Sequence, residues 1–263
     1  MLLVALTASF FHLGHPLRAW RAMLMWRTSW MSREVIVLPA FIALVSTWAL
    51  QSTIAPAGRS VGYVFALLVI VGAMALWYCT AMIYACIRFI QEWAHPITVV
   101  NYVTLCLASG LVTCGALSVF TGEPEFATRL APWAATALVL AWFTRALSLR
   151  RNARLVPKST VQSATGIKSA RVLQKAMGMT GGSFNTREFF HGASMRAFRS
   201  AKVGFQVLAF AFPLLLLAWA GHAGSGAPWL LALLSHSVGM LTERWFFFAQ
   251  ARHPQNIYYE VVS

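Results

Sequence analysis

Apolar residues in this chain fall into long runs separated by short polar connections, and the runs have the length of membrane-crossing helices. They cover approximately Leu2–Leu13, Val35–Ile54, Val61–Ala85, Ile97–Phe120, Trp133–Leu147, Val203–Ala220 and Trp229–Phe248. A helix rises about 1.5 Å per residue, so some 20 residues cross the hydrocarbon core of a bilayer, about 30 Å thick. Most of the runs meet that length. The first does not, because its twelve residues reach only about 20 Å. No basic stretch precedes it and no small-residue cleavage site follows, so a signal peptide does not fit. The expectation is a chain that begins inside a transmembrane helix. The fold class is therefore an all-α polytopic transmembrane bundle of seven visible helices, the first clipped, forming one domain over residues 1–263.

Composition agrees with lipid as the solvent. Hydrophobic residues make up 59% of the chain and charged residues 11%, with 11 Trp and 18 Phe, whereas soluble domains carry about a quarter charged residues. The formal charge of +14 would suit a nucleic-acid partner only if it lay on a folded polar surface with stacking aromatics. It lies instead in alternate connections. Those after Leu13, Ala85, Leu147 and Phe248 hold 19 of the 21 lysines and arginines, counting Arg145 and Arg244 at helix edges; the others hold Arg59 and Arg129. This asymmetry places the basic connections and the C-terminus in the cytoplasm. Anionic lipid is a further expected contact. Cys79, Cys86, Cys106 and Cys114 all lie in or beside apolar runs without a CxxC spacing, so they encode no iron–sulfur ligand set or haem attachment.

Three polar clusters interrupt this pattern on the side assigned to the cytoplasm. The first is His12-Leu13-Gly14-His15-Pro16-Leu17-Arg18-Ala19-Trp20, where an apolar fragment meets a basic loop. A histidine at a bilayer boundary, followed by a turn and an arginine, suits the headgroup of a quinone. His12 can bond a quinone carbonyl, and an ordinary pKa near 6.5 suits proton exchange at neutral pH. The alternative is an interfacial histidine bonded to a backbone carbonyl. The second cluster, Ser29-Trp30-Met31-Ser32-Arg33-Glu34, opens the next helix. Glu34 either serves proton transfer as an acid set into an apolar helix, or complements the helix dipole with Ser32 as N-cap. Arg18 and Arg33 are topology anchors first, and Arg18 also suits a carboxylate of a docked partner. The third cluster is Tyr84, Arg88, Gln91, Glu92, Trp93 and His95. Tyr84 suits a quinone oxygen, but the interfacial aromatic belt is the favoured reading.

A pair of haem b ligands needs two histidines at membrane depth, and only His236 lies well inside a run. That residue is expected to bond a neighbouring helix. A di-haem cytochrome b anchor and, less favoured, a transporter remain the competing classes; transporters concentrate polar residues near the bilayer midplane, not at one boundary. The basic connection 148–202 contains a Ser/Thr/Gly-rich part without phosphate-loop spacing. From Thr186 to Lys202 it shows an amphipathic helical pattern suited to partner docking.

Taken together, HLGHPLRAW at His12–Trp20, SWMSRE at Ser29–Glu34, TAMIYA at Thr80–Ala85 followed by Glu92-Trp93, and ERWFFFAQARH at Glu243–His253 resemble the membrane-anchor subunit of dimethyl sulfoxide reductase. This is the DmsC family, which includes the anchors of related sulfite-oxidising complexes. The resemblance covers nearly the whole chain. It implies eight helices, and with them a first helix missing from this sequence. It also implies a complex with a molybdopterin catalytic subunit and a ferredoxin-like subunit with four [4Fe–4S] clusters. The chain itself would hold neither haem nor cluster, and its bound substrate would be menaquinone or ubiquinone. The histidine of the HLG element is tied in that family to quinol chemistry, a role that falls on His12, and the acid opening the next helix matches Glu34. Arg33 and the long basic connection look more like the sulfite-oxidising anchors than the sulfoxide-reducing ones.

Overall fold

The computed structural model describes Thr7 and residues 15–54, 59–158, 160–172, 194–220 and 226–252. Among the described residues every regular element is helical. They divide into two compact units, Met1–Cys86 and Ile87–Ser263.

The first unit is a helical hairpin with a short lead-in. A 3₁₀ helix, Pro16–Met25, precedes α1 (Trp30–Ile54), and α2 (Arg59–Ala85) returns antiparallel to it. Aromatic pairs clasp the hairpin at both ends: Trp30 meets Tyr78 edge-on at 5.4 Å, and Trp48 stacks on Phe65 at 6.5 Å between ring centres. In the middle, Gly72 leaves room for the Phe41 ring, which a side chain there would meet. The outer face of α2 exposes Val64, Leu67, Leu68 and Val71. That apolar surface is what lipid covers.

In the second unit, α3 (Pro96–Phe120) and α4 (Pro124–Asn152) form another hairpin, turned at Gly122 with φ +88°, a conformation natural to glycine. Both helices bury small residues, among them Ala108 and Ala116 on α3 and Ala134, Ala137 and Ala141 on α4, and small residues let membrane helices approach closely. One turn of helix, α5 (Val161–Thr165), follows; Thr160 and Ser163 cap each other reciprocally and Gly166 ends it at φ +72°. Next, α6 (Met195–Gln206) runs through a five-residue π-helical segment, Val207–Ala211, into α7 (Phe212–Ala220). The last helix, α8 (Ala227–Ala249), packs against α3, α6, the π segment and α7. Trp229 of α8 fills the space over Gly115, and Gly239 lies directly on the backbone of Leu208 and Ala209.

Among the described residues, five stretches are long and apolar enough to cross a membrane: Trp30–Ile54, Ser60–Ala85, Pro96–Phe120, Pro124–Asn152 and Met195–Ala220. They correspond to five of the apolar runs. The run Leu2–Leu13 falls outside the described residues except for Thr7. The run Trp229–Phe248 is helical, but His236, Glu243 and Arg244 interrupt it, and α8 is not one of these five stretches. The run Trp133–Leu147 understates its helix, because α4 starts nine residues earlier, at Pro124, and continues to Asn152. Proline fits the first helical position, and Arg150 and Arg151 complement the dipole in the last turn. The amphipathic stretch is helical from Met195; residues 186–193 lie outside the described residues.

Candidate functional site

The clearest polar contact in the first unit joins α1 to α2. Glu34, one turn into α1, lies 2.5 Å from the Thr80 hydroxyl through its Oε1. Both residues are half-buried, and both stand near the helix ends marked by Trp30 and Ala85. The contact thus pairs an acid with a hydroxyl near one end of the hairpin. Tyr84 follows Thr80 by one helical turn, so the two share a face of α2.

The neighbouring residues resolve several sequence expectations. Arg33 turns away from Glu34. Its guanidinium folds back over the preceding turn, donating from Nε to the Trp26 carbonyl at 2.9 Å and from Nη2 to the Arg27 carbonyl at 2.8 Å. It also covers the Trp30 ring at 4.1 Å. Arg33 thus fastens the approach to α1, and Glu34 is left to Thr80. The N-cap expected at Ser32 belongs to Ser29 instead: the helix starts at Trp30, and Ser29 Oγ accepts from the Ser32 N–H at 3.4 Å. Arg18 is exposed on the 3₁₀ helix. His12 lies outside the described residues. The structure therefore brings together Glu34 and Thr80, with Tyr84 on the same side of α2.

The third polar cluster mostly ties its own loop down within the second unit. Trp93 Nε1 donates to the Phe247 carbonyl at 3.2 Å and its ring stacks on Phe247. Glu92 accepts from the Arg252 N–H at 3.4 Å, and Arg151 donates to the Gln91 carbonyl at 3.0 Å. His95 caps α3, its Nδ1 accepting from the Ile97 N–H at 3.1 Å. Burial and the nearby Arg151 push the His95 pKa below 6.5, so this ring is held neutral with its proton on Nε2.

Sequence reasoning missed the most deeply buried charges. Arg145, counted as a topology residue at a helix edge, is buried and lies 2.7 Å from Glu243 Oε1; Arg244 lies 2.5 Å from the other carboxylate oxygen. Arg244 also rests between the rings of Tyr102 and Phe247, at 4.7 and 4.8 Å. The signal was an acid–base pair, Glu243-Arg244, ending an apolar run, with one more arginine ending another. His236, expected to bond a neighbouring helix, does so twice. Its Nδ1–H donates to the Ala209 carbonyl at 2.7 Å, and Nε2 meets Ser109 Oγ at 2.8 Å. That carbonyl lies within the π-helical segment. Among the described residues no group of three or more His, Cys, Asp and Glu gathers as a metal site.

Comparison with known proteins agrees with this architecture. The family model described as DMSO reductase anchor subunit (DmsC) matches residues 1–249. A sulfite dehydrogenase subunit of Allochromatium vinosum is 46% identical, across the whole of this chain and 84% of that protein's length. No solved structure gives a significant match. The chain thus belongs to the DMSO reductase anchor subunit (DmsC) family, as a multi-pass membrane-anchor subunit of an oxidoreductase complex.

Proposed function

We propose that the chain exchanges electrons and protons between membrane quinone and a docked iron–sulfur subunit, within a complex whose molybdopterin subunit oxidises sulfite. The observation that carries this reading is the Glu34–Thr80 contact. What supports the reading is an acid hydrogen-bonded near one end of the first hairpin, in a member of a membrane-anchor family of oxidoreductases. The similarity to a sulfite dehydrogenase subunit favours electron flow towards quinone. The asymmetry of the basic connections supports a docking side facing the cytoplasm, in a bacterial inner membrane.

In this reading the docked carrier delivers two electrons, one at a time, and the quinone takes two protons to become quinol. His12 and Glu34 are the proton donors, with Tyr84 bonding a quinone oxygen. Arg33 keeps the entry to α1 in place, and Arg18 meets an acidic group of the partner. The chain contributes position and protons; the sulfur chemistry belongs to its partners.

His12→Ala and Glu34→Gln in the assembled complex test the reading. Each is expected to lower quinone-linked turnover by about 100-fold, the lower range for losing a general acid or base. Assembly and dye-linked activity of the other subunits should persist. Unchanged quinone turnover in both variants overturns the assignment.

A further inference from the structure

The Thr80 hydroxyl has one proton and two acceptors. Its Oγ1 lies 2.5 Å from Glu34 Oε1 and 3.0 Å from the carbonyl of Leu76, one turn back on its own helix. A hydroxyl donates once and accepts through its lone pairs, so it cannot donate to both. The protonation state of Glu34 decides which bond it makes. When Glu34 is a carboxylate, Thr80 donates to it, a short charge-assisted bond of the kind seen at about 2.5–2.7 Å. When Glu34 is a carboxylic acid, Glu34 donates to Thr80 and the hydroxyl turns to Leu76. Both states are fully hydrogen-bonded at the same heavy-atom positions.

We propose that Thr80 is a positioning residue that holds Glu34 in one place while its proton leaves and returns. The inference rests on the quinone reading above and extends it. The protonated carboxyl gives its proton to the oxygen of the reduced quinone and becomes a carboxylate. At that moment the Thr80 hydroxyl rotates from Leu76 to Glu34, and no side chain needs to move. A proton arriving from water restores the acid and sends the hydroxyl back. The electrons come from the docked one-electron carrier, and the quinone leaves as quinol. Near Glu34, Arg33 is already committed to the Trp26 and Arg27 carbonyls. Cys79 on α2 is another titratable group that feels Glu34 electrostatically. Among the described residues, the Thr80 hydroxyl meets the carboxyl oxygen at hydrogen-bond distance.

Thr80→Val keeps the side-chain shape and removes the hydroxyl, whereas Thr80→Ser keeps the hydroxyl. Infrared difference spectra of the complex in its membrane would follow the carbonyl stretch of protonated Glu34, assigned by its loss in Glu34→Gln. In Thr80→Val that band should move to the position of a carboxyl without a hydrogen bond, and quinone-linked kcat should fall by about 100-fold with KM unchanged. Thr80→Ser should restore both. A band that stays in place in Thr80→Val overturns the proposal whatever the turnover. A shifted band with slow Glu34→Gln but normal Thr80→Val turnover overturns the positioning role alone. Normal turnover in Glu34→Gln, Thr80→Val and His12→Ala together overturns the quinone reading, and the proposal with it.

Discussion

A histidine that caps a helix with its own ring nitrogen loses the cap when that nitrogen gains a proton. His95 is in this position, with Nδ1 accepting from the Ile97 N–H. Burial first, and the charge of Arg151 second, hold its folded pKa below 6.5. The unfolded chain therefore binds the proton more readily than the folded one. The contribution of His95 to stability is whole above pH 6.5 and is lost as the pH falls from there through the folded pKa. Amide exchange at the start of α3 should rise on that descent, by the worth of one cap, about 1 kcal/mol. His95→Asn keeps a capping oxygen without a titrating group and should flatten the response. At this scale the sequence shows residue types but not their partners. Glu34 stands out as an acid inside an apolar run. Thr80 does not, because hydroxyls within membrane helices usually bond their own backbone one turn back, as Thr80 also does with Leu76.

At the scale of elements, run length and composition located the helix pairs α1–α2 and α3–α4 to within a few residues at most ends. They failed where polar groups are buried inside the protein. The polar ends of α4, including Arg129, Ser148 and Arg151, read as loop because they interrupt hydropathy. In the folded chain Arg145 faces α8, where it meets Glu243. Breaking a buried pair leaves one charge uncompensated, which costs about 3–5 kcal/mol. Arg145→Met should accordingly lower the melting temperature of the complex sharply. The double variant Arg145→Met with Glu243→Leu should recover most of the loss, because two apolar groups replace two charges. If the double variant is as unstable as the single one, the pair is not what ties α4 to α8. The π segment was equally invisible, since Val207–Ala211 is as apolar as an ordinary helix. Only His236 and Ser235, which bond the Ala209 and Leu208 carbonyls, hint at its place.

For the whole molecule, charge asymmetry is the ground for the orientation proposed for the chain, and that orientation is directly measurable. In a background without the four native cysteines, Lys158→Cys should react with an impermeant thiol reagent only from the cytoplasmic side. Gly122→Cys should react only from the opposite side. Reversed labelling would place the partners outside the cell. The helical class, its membrane character and its family were legible in the run pattern and the short motifs, because hydropathy and a few motif residues are local properties. The pairing of distant polar groups is not local. The polarity of α8 also has a bearing on biosynthesis. A charged residue near the centre of an inserting helix costs about 3 kcal/mol, and α8 carries Glu243, Arg244 and His236 together. The groups that neutralise them, Arg145, Tyr102 and Ser109, lie on α3 and α4, which leave the ribosome earlier. The final helix thus inserts against a waiting scaffold, and a cell that loses α3 or α4 to mutation loses the anchorage of its C-terminal segment as well.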